Sequence, residues 1–412
     1  MIEKLKHGYK LTEVGVIPDD WDVISIGELD PFITSGSRGW SAFYSDHGSP
    51  FIRITNLFRS CIYPNLKDLR FVNVLVNDAE AARTQLRDED ILISITADIG
   101  IIGHVTSQIP KPSYINQHVA IVRFDQDRII SRYISYFLAS ATPQKRFNML
   151  TDAGAKAGMN LTTVRQIGLA LPPTKVEQRA IAEALSDADA LIESLDQLIA
   201  KKRDIKQGAM QELLTGKKRL PGFSGEWKLK LLGQICDIGM GRTPPRLNSA
   251  YWGTGHKWLS IADLKSKVAF DSKEEITSVA ASDMRVVRKG TLLMSFKLSI
   301  GRLCFAGCDL YTNEAICSFN ELKANAEYIY YKLSQTDLSL YGKLAVKGYT
   351  LNKASLKLIE INLPEEMEQA AIATVLSDMD TELVELQSRL AKARQIKQGM
   401  MQELLTGRIR FM

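Results

Sequence analysis

Two turn-rich stretches of this chain gather side chains suited to reading a polar polymer. One holds Ser37, Arg38, Trp40, Tyr44, Arg53, Asn56 and Arg59; the other holds Arg242, Thr243, Arg246, Tyr251, Trp252 and Lys257. Arginine donates two parallel hydrogen bonds to guanine, asparagine and glutamine pair with adenine, and hydroxyls and lysines suit phosphate oxygens. Lys156, Lys297, Lys347 and Tyr349 extend the set. Each residue also has an ordinary use, since loop aromatics belong to small satellite cores and arginines decorate solvated surfaces. The mixture recurring in two places points to nucleic-acid contact more strongly than any member does.

Reaction chemistry is not spelled out beside them. The proline pairs at 172 and 244 and the isolated Pro364 lack a preceding Asn or Asp and a following aromatic, so they make no grip for a target amino group in methyl transfer. Gly239-Met240-Gly241 is a bare GxG without the strand and helix of a nucleotide cradle, and reads as a turn. P-loop, HExxH, GxSxG and nuclease-like acid and lysine clusters are missing from the sequence. Five scattered cysteines do not make a disulfide framework and read as reduced thiols. Cys304 and Cys308 could be half of a metal site, but no second Cys or His pair stands at ligand spacing and His256 is isolated, so no metal is expected. The sequence therefore predicts a non-catalytic chain.

At 412 residues, 45% hydrophobic and 24% charged, the chain exceeds one hydrophobic core and is neither disordered nor fibrous. No apolar run approaches the roughly 20 residues of a spanning helix, and no apolar stretch follows Lys4, Lys6 and Lys10 as a signal peptide would require. A cytoplasmic protein without a membrane partner is expected. The net charge of +5 is unevenly spread: residues 220–362 carry 19 Lys and Arg against 13 Asp and Glu, residues 1–160 carry 17 against 18. That excess permits a nucleic-acid footprint without requiring one.

An internal repeat organises everything else. EQRAIAEALSDAD (177–189) matches EQAAIATVLSDMD (368–380) at an offset of 191, and the same offset carries IKQGAMQELLTG (205–216) onto IKQGMMQELLTG (396–407). Weaker echoes flank it. FIRITNL (51–57) answers WLSIADL (258–264), Ser94 with Ile99 and Gly100 answers Ser295 with Ile300 and Gly301, and Asn116-Gln117 answers Asn313-Glu314. One unit is written twice, each time as a divergent globular part followed by a nearly constant helical part.

Heptad spacing makes the constant parts long helices. Ile181, Leu185, Ile192, Leu195 and Ile199 form one seam, and Ile372, Leu376, Leu383, Leu386 and Leu390 the other. Each helix starts beyond a Leu-Pro and stops near the glycine of Leu-Leu-Thr-Gly, at Gly216 and Gly407. Matching lengths and seams predict that the two helices pack on each other, and the long connection between them allows an antiparallel arrangement, which would give a pseudo-two-fold axis. Identity also extends to Gln207, Gln211 and Glu212 with Gln398, Gln402 and Glu403, outside the seam, where a spacer would not need it. The divergent parts read as α+β, with strands at 91–96, 118–124 and 291–296 and helices at 131–150 and 326–340. The expected organisation is a first globular domain at 1–160, a central helical region at 161–216, a second globular domain at 217–362 and a distal helical region at 363–412.

YKLTEVGVIPDDW (9–21), GRTPPRLNSAYWGTGHKWLSIADL (241–264), LPPTKVEQRAIAEALSDAD, LPEEMEQAAIATVLSDMD and LLTGKKRLPGFSGEW (213–227) together resemble the DNA-specificity subunits of type I restriction-modification systems, across essentially the whole chain. The resemblance implies two target-recognition domains joined by two conserved helices that form an antiparallel coiled coil. Each domain would read one half of a split, asymmetric site in double-stranded DNA, and the helices would set the gap and dock two methyltransferase subunits. It further implies S-adenosylmethionine and adenine N6 methylation in those subunits, and ATP with Mg in restriction-motor subunits that join them, with no cofactor in this chain. The first domain departs from the second, offering SGSRGWSAFYSDHGSPFIRITNL in place of the GxTPxxxxxYW pattern. A self-contained methyltransferase or nuclease would have to methylate or cut DNA alone, and a protein-only scaffold would show no sequence-selective DNA binding in complex with a methyltransferase.

Overall fold

The computed structural model describes residues 7–36, 38–74, 79–152, 159–345 and 348–411. The chain forms two compact units, residues 1–196 with 388–412 and residues 197–387, so the division passes through both long helices.

In the first unit a four-stranded antiparallel sheet has the order Phe32–Ser35, Val119–Arg123, Ile91–Ser94, Ile102–His104. Successive side chains of a strand face opposite sides, and both sides here are apolar. Ile91, Ile93, Ala120 and Val122 pack with Tyr133, Ile134 and Phe137 of the helix Ser131–Ala139. Leu92, Val119 and Ile121 pack the other way, with Ile52, Leu57 and Ile115. A second small sheet orders Tyr114–Ile115, Ser49–Ile52, Arg70–Val72 and Tyr44–Ser45. The strand Gly168–Leu171 pairs with Asp22–Ser25 and delivers the chain to the first long helix. The single helix expected at 131–150 is two, Ser131–Ala139 and Ala141–Asp152, because Ser140 is extended and its hydroxyl donates to the Phe137 carbonyl at 2.6 Å.

The second unit repeats this plan: Asp237–Met240, Ile316–Asn320, Leu292–Ser295 and Leu303–Ala306, with Val268–Ala269 added at the edge. Leu292 and Met294 face the core built on the helix Ala326–Gln335, and Leu293 faces the opposite cluster with Leu259 and Ile316. Trp252–Leu259 lies between Glu274–Ile276 and Tyr311–Thr312, and Lys228–Leu231 pairs with Glu360–Leu363.

The long helices are Lys175–Leu213 and Glu366–Leu404, 39 residues each, or about 58 Å at 1.5 Å per residue. Both end as Leu-Leu-Thr-Gly demands. Gly216 and Gly407 have φ of 71° and 67°, and the amides of Lys218 and Ile409 reach back to the carbonyls of Glu212 and Glu403 at 3.3 and 3.2 Å. Within each unit, the first half of one long helix runs antiparallel to the second half of the other. The first unit pairs Glu177 with Arg410, Asp189 with Lys397 and Asp196 with Arg394; the second pairs Glu368 with Arg219, Asp380 with Lys206 and Glu382 with Lys202. Of the seam residues, Ile181, Leu185, Ile199, Ile372, Leu376, Leu386 and Leu390 are buried. Ile192, Leu195 and Leu383 are half-buried.

Candidate nucleic-acid interface

In the second unit, Gly241 lets two segments touch. A Cβ there would stand 2.0 Å from the Asn313 carbonyl oxygen and 2.3 Å from Thr312 Oγ1, so Arg242 and Thr243 leave the strand directly above the turn at 312–314. Gly36 does the same in the first unit, where a Cβ would meet the Asn116 carbonyl oxygen at 2.1 Å. Thr243 donates its hydroxyl to Glu314. That bond, with Lys297 and Arg246 nearby, holds the Glu314 carboxyl below the usual carboxylate range. Arg242, Thr243, Lys297 and Glu314 are thereby assembled at one end of the sheet, with Arg242 and Glu314 exposed and Thr243 and Lys297 half-buried.

The segment 244–251 is a built turn that enters the strand Trp252–Leu259. The Arg246 guanidinium lies 4.0 Å from the Trp252 ring centroid and 4.9 Å from that of Trp258, and bonds both carboxylate oxygens of Glu274 at 2.6 and 3.1 Å. Trp252 donates to the Pro245 carbonyl at 3.2 Å and Trp258 to that of Arg242 at 3.0 Å. Tyr251 packs against the same cluster. Arg246 thus clamps the turn with the face expected to meet a base. Lys257 is held between Asp271 and Glu275, each at 2.6 Å, and these bonds raise its ammonium and lower both carboxyls. Its charge is already matched within the domain.

The first unit corrects several expectations. Trp40 is buried, stacked on Phe51 at 5.8 Å and edge-on to Tyr114 at 5.2 Å, because an indole beside two other rings gains more from the core than from water. Asn56 is buried too. Its Oδ1 accepts from the Arg53 amide at 3.0 Å and its Nδ2 donates to the carbonyls of Asn65 and Asp68, both at 3.1 Å, so its polar atoms are already used. Arg59 bonds Asp98, Gln144 and the Ile99 carbonyl. Arg53 is half-buried, Tyr44 sits partly exposed edge-on to Phe51 at 5.8 Å, and Arg38 is exposed. Ser37, Lys156 and Lys347 lie outside the described residues, as does the side chain of Tyr349.

The structure also brings Thr96, Gln117 and His118, which no sequence motif marks as contacts, to the equivalent edge of the first unit. Thr96 bonds His118 Nδ1, and Gln117 Nε2 lies 3.1 Å from His118 Nε2. The repeat held the signal, since Ser94 and Asn116-Gln117 match Ser295 and Asn313-Glu314.

On the long helices Gln207, Gln211, Glu212, Gln398 and Gln402 are exposed and Glu403 is half-buried. Gln207 donates to Gln335 at 3.0 Å, Glu212 pairs with Lys218 at 3.7 Å and Glu403 with Arg408 at 3.5 Å. Among the described residues no group of three or more His, Cys, Asp and Glu could hold a metal. Cys304 is buried, and burial pushes its thiol up to about 12. No helix among the described residues is long and apolar enough to cross a membrane.

The profile of the "Type I restriction modification DNA specificity domain" matches residues 18–201 and again 224–397. A Methanocaldococcus jannaschii chain provisionally named the type I restriction enzyme MjaX specificity subunit is 26% identical over 98% of this chain and 97% of its own length. The MjaIX specificity subunit of the same organism is 32% identical over 38% of each chain. Among solved structures, the type I restriction-modification S subunit from M. genitalium superposes with a TM-score of 0.60 at 14% identity, over 97% of both chains. A chain from a structure of complex assembly in a type I R-M system superposes with a TM-score of 0.57 at 16% identity, over 95% of this chain and 99% of that one.

Proposed function

The chain belongs to the type I restriction-modification specificity-subunit family, whose members are non-catalytic DNA-recognition subunits, and from that premise we propose that its two globular parts read the two halves of one split, asymmetric site in double-stranded DNA. The observation that supports this is the constancy of the scaffold against the variety of its ends. The same strand order recurs in both units, while the segments after Gly36 and Gly241 share almost no side chains. A fold repeated for stability alone would have no reason to keep its strand order and helices while these segments diverge.

In this reading Arg38, Thr96, Gln117 and His118 serve one half-site, and Arg242, Thr243, Lys297 and Glu314 the other. Arg242 suits guanine or phosphate, Gln117 suits adenine, and Glu314 accepts from the cytosine amino group. Lys257 and Arg246 shape the reading turn rather than touch bases. The exposed glutamines at 207, 211, 398 and 402 would dock a methyltransferase subunit on each side. Those subunits would bring S-adenosylmethionine, and motor-nuclease subunits would bring ATP and Mg, all in the cytoplasm. Sequencing the methylome of a host carrying the complete system tests this. A bipartite, non-palindromic motif with a fixed unread gap is expected, and a continuous or palindromic motif would contradict it.

A further inference from the structure

One loop has the same hydrogen bonds to its backbone in the two units and carries different side chains at its tip. Ser94 and Ser295 each end a central strand, and their hydroxyls donate to the carbonyls of Asp98 and Ser299 four residues on. The same oxygens accept from the amides of Ile101 and Arg302 at 2.8 and 3.0 Å. Gly100 and Gly301 donate to the carbonyls of Ser94 and Ser295, both at 2.9 Å. Ile95 and Phe296 are tied to the carbonyls of His118 and Ala315, again at 2.9 Å, which anchors the loop beside the interface segments.

At the tip stand Thr96-Ala97-Asp98 in one copy and Lys297-Leu298-Ser299 in the other. Ala97 and Leu298 occupy the left-handed region, with φ of 65° and 63°. In the flanking positions of the same region glycine supplies that conformation in at least one copy, Gly290 answering Glu89 and Gly100 and Gly301 answering each other, and the other non-glycine cases among the described residues, Asp30 and Glu321, carry polar side chains and occur in one copy each. At the tip neither copy uses glycine, although an L residue is strained there. Packing does not explain the choice, because Leu298 is 68% exposed. A strained position that retains an outward apolar side chain in two otherwise dissimilar domains is suited to something outside the protein.

Building on the function proposed above, we infer that Ala97 and Leu298 are specificity-determining residues, each presenting its side chain to the 5-methyl group of a thymine in the major groove of duplex DNA. The thymine methyl is the apolar mark on a base edge in that groove, and small aliphatic side chains read it by contact. Asp98 is already engaged by Arg59 and Thr96 by His118, and Ala97 is the exposed apolar residue of the first tip.

The test uses the purified complex with its methyltransferase partner and duplexes carrying the methylated motif, with each thymine replaced in turn by uracil, which lacks the methyl. One replacement in the half-site read by the second unit should weaken binding about 4-fold, the factor for one buried methyl. Leu298→Gly should lose a similar factor on the parent duplex and become indifferent to that replacement, and Ala97→Gly should do the same in the other half. Glycine relieves the strained φ, so melting temperatures should hold or rise, which separates a reading role from a structural one. Leu298→Gly with full affinity and the parent's sensitivity to uracil would overturn the inference while leaving the proposed function standing, as would a half-site without any thymine. A wild-type complex indifferent to sequence would overturn both.

Discussion

The Lys397 ammonium lies 2.5 Å from Asp189 Oδ1 with both side chains withdrawn from water, and the pair is repeated 191 positions away by Lys206 and Asp380. The second oxygen of each aspartate accepts from a tyrosine, Tyr136 at 2.8 Å and Tyr331 at 2.6 Å. Burial, with the aspartate close by, raises both phenols, so each remains a donor. Farther along, Arg410 holds Glu177 and Asp20 beside the Trp21 ring, as Arg219 holds Glu368 beside Trp227. Each globular part is thus locked to the second half of a helix that begins in the other repeat.

The two locks differ in burial, which sets their cost of removal. Side-chain exposure is 9% and 6% for Lys397 and Asp189, but 19% and 28% for Lys206 and Asp380. Lys397→Ala leaves a buried carboxylate uncompensated and should destabilise the first unit by about 3 kcal/mol. Lys206→Ala, better solvated, should cost about 1 kcal/mol. Denaturant unfolding, with hydrogen exchange resolved by unit, measures both, and equal losses would contradict the account.

Because an ion pair fixes the register of the two helices within each unit, the gap that the helices are proposed to set should not lengthen when one helix alone is extended. Seven residues inserted in one helix alone would oppose the Lys206–Asp380 and Lys397–Asp189 registers. One heptad in each helix, after Asp196 and after Gln387, preserves both registers and the seam. At 1.5 Å per residue against 3.4 Å per base pair the pair should add about 10 Å, or about three base pairs, to the unread gap. Methylated motifs of the single and double insertions decide. A double insertion that is active with the parent's spacing would remove the helices as the ruler.

The repeat also predicts an assembly. Residues 205–216 differ from 396–407 at one position, Ala209 for Met400, and Lys206 and Arg219 stand where Lys397 and Arg410 stand. A chain ending at residue 222 carries the first unit's acidic half of each lock together with a basic half able to complete it in a second copy. It should form a homodimer by light scattering, and Lys206→Glu, facing Asp189 with like charge, should return it to monomer. A monomeric half-chain would contradict the equivalence of the two locks.

The helices were legible in the sequence because a heptad and a glycine stop depend only on local spacing. Ile181, Leu185, Gly216 and their counterparts could mean little else. The interface was less legible, since a tryptophan or asparagine in a turn reads alike whether it points in or out. Trp40 and Asn56 point in because Phe51, Tyr114 and the carbonyls of residues 65 and 68 come from elsewhere in the chain. Arg246 sits on two tryptophans for the same reason. The tip loops were legible in part: Ser94, Ile99 and Gly100 answering Ser295, Ile300 and Gly301 marked the scaffold, but φ at Ala97 and Leu298 is set by hydrogen bonds that only the folded chain displays.

The claim that two independent readers share one helical frame is tested most directly by exchanging residues 217–362 for the corresponding part of a relative and sequencing the methylome of the host. One half of the methylated motif should change, and the other half and the gap should stay as in the parent. A change in both halves, or in neither, would contradict it.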